Sequence, residues 1–173
     1  FTTERPVLLV IGGSLGSRAV NAAVREALPE LLKEFQVLHI AGKNNLDTAL
    51  SDTPGYRQFE YVSEELKDYF ALADIMVSRA GANAICEILA LRKPNVLIPL
   101  SAKASRGDQI LNARSYEKQG YSRVLEEEAL SRDTLLAAVR ETYADRARYL
   151  AAMEAGGSAN GVLISSQVLI AAA

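Results

Sequence analysis

The sequence has few of the side chains that build metal centres and cross-links. Its 173 residues include one cysteine, Cys86, and one histidine, His39. A lone cysteine excludes an internal disulfide framework and a cysteine-based metal cage. A lone histidine excludes clustered-imidazole metal chemistry. No basic-then-apolar segment opens the sequence, and no apolar run approaches the ~18–20 residues that cross a bilayer. Neither sign of charge dominates: 19 basic and 21 acidic side chains leave a net charge of −2. That balance argues against a protein that holds nucleic acid by neutralising phosphates. Repeats, low-complexity tracts and long charge blocks are also missing. Together these absences predict a small cytosolic protein, and the 49% apolar content supports a core that needs no staples. The sequence starts at Phe1 rather than methionine, with a strand pattern beginning almost at once at Pro6. This predicts an excised or processed piece of a longer protein.

What is present is an alternation of short β-branched runs with longer periodic stretches, the pattern of strand–helix–strand units around a buried parallel sheet. Val7–Ile11 is continuously apolar and reads as a strand covered on both faces. GGSLGS follows, then a helical stripe of Val20, Ala23, Val24, Ala27, Leu28, Leu31 and Leu32, with Pro29 expected to bend or restart its last turn. Further strands are expected at Val37–Ile40, Tyr56–Tyr61, Asp74–Val77, Asn95–Pro99 and Ser122–Leu125. Helices are expected at Glu64–Ala73, Ala82–Leu91, Asp108–Gln119 and Leu130–Met153, the last in one or two pieces, with a short one near Leu46–Leu50. A final apolar helix is expected over Val162–Ala173. About six strands with helices between them predict a Rossmann-like three-layer α/β fold. The whole of 1–173 then forms one domain with a C-terminal helical segment at about 156–173.

Three turns of such a fold lie at the carboxyl ends of strands, where ligands bind in open α/β sheets. The first is Gly12-Gly13-Ser14-Leu15-Gly16-Ser17. Its glycines allow close backbone approach and the following helix start attracts anions, so a diphosphate is one reading and a ligand-free tight turn the other. It is not a GxxxxGK[ST] phosphate loop, because no lysine follows Gly16, nor a GxGxxG dinucleotide turn, because position 14 is serine. The second strand ends in Ala41-Gly42-Lys43 without a ribose-binding carboxylate, which disfavours NAD. The second turn, Ser78-Arg79-Ala80-Gly81-Ala82, opens another helix. Glu87, early in that helix, reads either as an acceptor for a ribose diol or as an ordinary glutamate favoured by the helix dipole. The third, Lys103 to Ala113, brings Asp108, which can serve as an N-cap, and Gln109, which has less structural reason to be there. Tyr61-Val62-Ser63 closes the third strand with backbone groups able to pair with a flat base. His39 reads as a satisfied core histidine, Cys86 as buried packing, and Glu126–Glu128 as solvated charge.

In LLVIGGSLGSRAVN, ADIMVSRAGANAICEILALRKPNVLIPL and RGDQILNA, taken in order and at these separations, the sequence closely resembles the carboxy-terminal domain of the MurG family of bacterial glycosyltransferases. The resemblance runs from Pro6 to the last helix. It implies half of a two-domain GT-B enzyme that moves N-acetylglucosamine from UDP-GlcNAc to undecaprenyl-diphospho-muramoyl-pentapeptide in peptidoglycan synthesis. The donor, UDP-N-acetylglucosamine, is a substrate; no cofactor or metal is implied, and no nucleic acid. By resemblance, Gly13, Ser14 and Gly16 face the diphosphate, the backbone of Val62 recognises uracil, and Glu87 takes the ribose diol. Ala82 offers its backbone to the sugar and Gln109 holds sugar hydroxyls; Tyr61, Arg79 and Asp108 are further candidates. The sequence departs from the family's usual GGSQGA at Leu15 and Ser17, and Asp108 replaces a common His or Gln.

The reaction so implied is an inverting transfer, for which the sequence offers no convincing general base. The resemblance puts that base, and the lipid-linked acceptor, on an N-terminal acceptor domain absent from this chain. The full enzyme is then peripheral on the cytoplasmic face of the membrane. Three other readings stay open: the nucleotide-binding subunit of a split glycosyltransferase, a related nucleotide-sugar enzyme with a different donor or acceptor, and a non-catalytic α/β nucleotide-binding module.

Overall fold

The computed structural model describes residues 4–12, 17–104 and 106–156. Six strands, β1 (Val7–Ile11), β2 (Gln36–Ile40), β3 (Tyr56–Phe59), β4 (Ile75–Ser78), β5 (Asn95–Leu97) and β6 (Arg123–Val124), form one sheet in the order β3-β2-β1-β4-β5-β6. Every neighbouring pair is parallel. Parallel neighbours need crossovers, and α1 (Arg18–Glu34), α2 (Leu66–Leu72), α3 (Ala82–Ala90) and α4 (Asp108–Lys118) supply four of them. The β2–β3 connection carries only a short 3-10 turn at Thr48–Leu50. The chain ends its described course with α5 (Arg132–Ala144) and a helix over 146–156, so the long helical stretch is in two pieces with a turn at Asp145.

The continuous apolar runs are explained by the two faces they cover. Leu8 and Val10 of β1, with Ile75 and Val77 of β4, pack under the stripe of α1 and under Leu135, Leu136 and Val139 of α5. Val7, Leu9 and Met76 point the other way, toward Phe70 of α2, Ile85 and Ile88 of α3 and Ala113 of α4. A strand buried on both faces has no polar alternation to show. Leu31 is fully buried, and truncating such a side chain to alanine costs about 2–5 kcal/mol. A smaller cluster of Tyr121, Tyr149 and Met153 seats the helix over 146–156. There Gly156 backs onto Tyr121 so closely that a Cβ would lie 1.7 Å from its hydroxyl, so no side chain fits without displacing the ring.

Several expected boundaries move for physical reasons. α1 runs unbroken through Pro29, which lies on the exposed face of the helix and gives up only one backbone hydrogen bond. β3 stops at Phe59, not Tyr61, because β2 ends at Ile40, its last partner in the register. Tyr61-Val62-Ser63 therefore belongs to the following loop. α4 is capped by Gly107 at φ 85° and Asp108 is its first residue, so Asp108 is not the N-cap. The expected helix over Val162–Ala173 and the turn Gly13–Gly16 lie outside the described residues.

This strand order places the reversal of direction between β1 and β4. From β1 the chain steps to β2 and β3, then crosses back to β4 on the other side. The crevice beyond the carboxyl ends of β1 and β4 is where such sheets take ligands.

Candidate functional site at the carboxyl edge of the sheet

Helices α1 to α4 each follow a strand and begin at this edge. α1 starts at Ser17, whose Oγ accepts the Val20 N–H at 3.2 Å. α3 starts at Gly81, which caps it with no side-chain hydrogen bond (φ −67°, ψ 149°). The first N–H groups of α3, those of Ala82, Asn83 and Ala84, thus lack an intrahelical acceptor and carry the positive end of the helix dipole. Ala82 is exposed there. A Cβ on Gly81 would make only ordinary contact, 3.8 Å from Gln109 Nε2.

Gln109 is the surprise of this edge. Its Oε1 accepts from Leu100 N–H at 3.0 Å and Ala80 N–H at 3.3 Å, tying the loop after β5 to the loop after β4. One turn further along α4, Asn112 Nδ2 donates to the Ala80 carbonyl at 3.1 Å. The Ala80 peptide is therefore held on both sides by α4. With its oxygen committed, Gln109 turns its amide toward Gly81, so it can meet a ligand only as a donor. The structural reason that the sequence did not supply is this bridge. Asp108, next to it, is exposed.

Between the ends of β1, β2 and β4 and the start of α2 lies a cavity of about 320 Å³ lined by Ile11, Tyr61, Val62, Ser78, Glu87 and Ile88 among others. Tyr61 stands at its margin, 73% exposed. Among the described residues the Glu87 carboxylate has no hydrogen-bond or ion-pair partner, and partial burial raises its pKa above the ordinary glutamate value. A carboxylate in that position can accept hydrogen bonds from two hydroxyls of a ligand. The structure thus brings Tyr61, Val62 and Glu87 to one cavity and Ala82 and Gln109 to the adjoining helix end; Gly13, Ser14 and Gly16 lie outside the described residues.

Arg79 is buried, and its guanidinium is already committed. Nη2 donates to Ser17 Oγ at 2.7 Å and Glu127 Oε1 at 3.2 Å; Nη1 donates to the Ile98 carbonyl at 3.1 Å and reaches the Pro99 carbonyl and Glu127 Oε2 at 3.4 Å. Glu127 was expected to be solvated charge, but it is held in this ion pair. A buried arginine at the end of β4 needs a carboxylate from another loop on the same edge, and Glu127, just after β6, supplies it.

His39 is buried and satisfied, as expected. Asn21 Nδ2 faces the Ala41 carbonyl at 2.8 Å, which can only accept, so Asn21 Oδ1 faces the imidazole. His39 Nε2 therefore donates to Oδ1 at 2.8 Å, and Nδ1 accepts the Tyr56 hydroxyl proton at 2.8 Å. Burial, with Arg25 nearby, lowers its pKa to about 3. A neutral ring with both nitrogens engaged has no free position for proton transfer. Cys86 is half-buried rather than buried. Its side chain hydrogen-bonds Tyr116, whose pKa rises to about 12, chiefly through burial. No group of three His, Cys, Asp or Glu side chains among the described residues could hold a metal, and none of their helices is long and apolar enough to cross a membrane.

The profile of the glycosyltransferase family 28 C-terminal domain matches residues 7–167. The chain belongs to that family. Its family 28 relatives include the UDP-N-acetylglucosamine–N-acetylmuramyl-(pentapeptide) pyrophosphoryl-undecaprenol N-acetylglucosamine transferase of Lachnospira eligens, 64% identical over 89% of this chain and 44% of that protein. The enzyme of the same name from Geobacillus thermodenitrificans is 59% identical over 92% of this chain and 45% of its own length. The chain thus spans less than half the length of these curated relatives. Among solved structures, MurG of Acinetobacter baumannii superposes with a TM-score of 0.73 at 21% identity, over 88% of this chain and 45% of that one. This last likeness bears on the fold alone, a Rossmann-like α/β domain.

Proposed function

We propose that this chain is the donor-binding half of an inverting N-acetylglucosaminyltransferase, acting on UDP-GlcNAc and undecaprenyl-diphospho-muramoyl-pentapeptide. The observation that carries the reading is the junction of an apolar cavity, bearing a carboxylate with no partner among the described residues, with the start of α3, which no side chain caps, in a chain 64% identical to a transferase of that name. Uracil enters beside Tyr61 and pairs with the backbone of Val62. The ribose hydroxyls donate to Glu87. The diphosphate lies across the crevice, on Gly13, Ser14 and Gly16 and the α3 amides, while Ala82 and the amide of Gln109 meet the sugar.

As the acceptor hydroxyl attacks the anomeric carbon, negative charge grows on the departing UDP. Amides fixed before the reaction stabilise that charge without reorganising. Arg79 contributes by position and Asp108 lies at the rim of the site. The general base comes from the N-terminal acceptor domain, which also holds the lipid-linked acceptor at the cytoplasmic face of the membrane. His39 is unsuited to that role, being buried, neutral and engaged at both nitrogens.

Titration calorimetry of the chain with UDP and UDP-GlcNAc tests the first half of this reading, with saturable binding expected at up to millimolar ligand. Absence of any UDP binding at that concentration refutes the nucleotide site. Acceptor-dependent turnover by the chain alone refutes the assignment of the base to the other half.

A further inference from the structure

We infer that Arg79 and Glu127 form a positioning pair that sets the start of α1 against the start of α3, and through that spacing the grip on the nucleotide's diphosphate. The inference rests on the donor-site reading above. The pair joins segments far apart in sequence: Arg79 reaches Ser17 across 62 residues and Glu127 across 48. Its arginine end grips the N-cap of α1 and two carbonyls after β5. Its glutamate end also accepts the Ser101 N–H at 3.3 Å. One planar, forked cation therefore indexes the loops after β4 and β5 and the start of α1 to a single plane.

Stability alone gives little reason for this arrangement. Desolvating an ion pair costs about as much as the attraction returns, so an apolar replacement is often as stable. What a bidentate arginine supplies is geometry: its donors lie in a fixed fork, whereas an ammonium is a point charge on a flexible stem. Nor is the charge aimed at a ligand. The side chain of Arg79 is 9% exposed and that of Glu127 23%, and each neutralises the other. The pair meets the N-cap of α1 and the loops after β4 and β5, and neither Arg79 nor Glu127 lines the cavity of Val62 and Glu87. Loss of the pair should therefore disturb a ligand's diphosphate and spare its nucleoside.

The test compares UDP with uridine, which lacks the diphosphate, by calorimetry on the full-length protein carrying Glu127→Gln or Arg79→Lys. The wild type should bind UDP more tightly than uridine. Each substitution should lower UDP affinity roughly tenfold and leave uridine within twofold. Equal losses for both ligands, or no loss for either, overturn the inference while leaving the donor site standing. A wild type that binds UDP no better than uridine overturns the donor-site reading and the inference with it. Should Arg79→Lys fail to fold, Glu127→Gln decides alone, since it keeps the side chain's shape on a partly exposed residue.

Discussion

The first turn of α1 is fastened from two sides by networks of opposite character. Asn21 ties it to the end of β2 through a row of neutral groups, Tyr56, His39 and the Ala41 carbonyl, all at 2.8 Å, with the Arg25 guanidinium beside Tyr56. Ser17, one turn earlier, ties it to the loops after β4 and β5 through Arg79, 2.7 Å away, and its ion-pair partner Glu127, 3.2 Å further on. The neutral side is sealed and uses both imidazole nitrogens. The charged side opens partly to solvent at Glu127. A sealed neutral network gains nothing from protonation, whereas a charged one requires both partners ionised. The difference teaches that the same mechanical task, holding a helix start in place, can carry different vulnerabilities.

The largest expected effect comes from breaking the charged side. Arg79→Met strands Glu127 and leaves Ser17 and two carbonyls without their donor. Removing one partner of a buried pair costs about 3–5 kcal/mol, and the partial exposure of Glu127 puts this case near about 3 kcal/mol by urea unfolding. The neutral side should break more gently. His39→Phe leaves the Asn21 oxygen and the Tyr56 hydroxyl unmatched, for about 2 kcal/mol.

Acid sharpens the contrast. Folded, the imidazole stays neutral down to about pH 3; unfolded, it takes a proton near its ordinary value of 6.5. The unfolded state thus binds the proton first, and stability is full above pH 6.5 and declines between 6.5 and about 3, by up to ~1.4 kcal/mol per pH unit. Unfolding free energies measured across that window should show this slope in the wild type and lose its histidine component in His39→Phe.

Glu87 stands outside both networks, and its carboxylate, with no partner among the described residues, offers a third case. Glu87→Gln should weaken UDP binding roughly tenfold to a hundredfold, as for a lost hydrogen bond to a charged group, with a melting temperature equal to or slightly above the wild type's. Because burial raises this carboxyl's pKa, UDP affinity should also fall on acidification earlier than for an ordinary glutamate, and the substitution should remove that pH dependence. The smallest structural effect belongs to Gly81→Ala. Its Cβ meets only an ordinary contact and its φ of −67° suits any residue, so stability should stay within about 0.5 kcal/mol. Any loss of UDP-GlcNAc affinity then reports how closely the ligand approaches this backbone.

Legibility in the sequence followed the range of the interactions. β1, α1 and the parallel alternation are visible because continuous apolar runs and a helical stripe are local consequences of burial. The end of β3 is not, because it depends on where β2 stops. Pro29 carries a local signal for a break that an exposed helix face overrides. In the site, Glu87, Val62 and Gln109 could be named from their turns and from resemblance. The oxygen of Gln109 and the carboxylate of Glu127 could not be assigned, because their partners arrive from loops adjacent only in the folded sheet. A run of three glutamates looks like solvated surface until a buried arginine is placed opposite one of them.

The donors running from Tyr56 through His39 and Asn21 to Ala41 all point one way, and this constrains substitution. The terminal carbonyl cannot donate, so the direction of the row cannot be reversed from its end. A side chain replacing His39 must accept from the tyrosine on one side and donate to the amide on the other, across the width of an imidazole. Positions 21, 39 and 56 therefore work as one unit, in which a change at any single member leaves a neighbour's donor or acceptor unmatched.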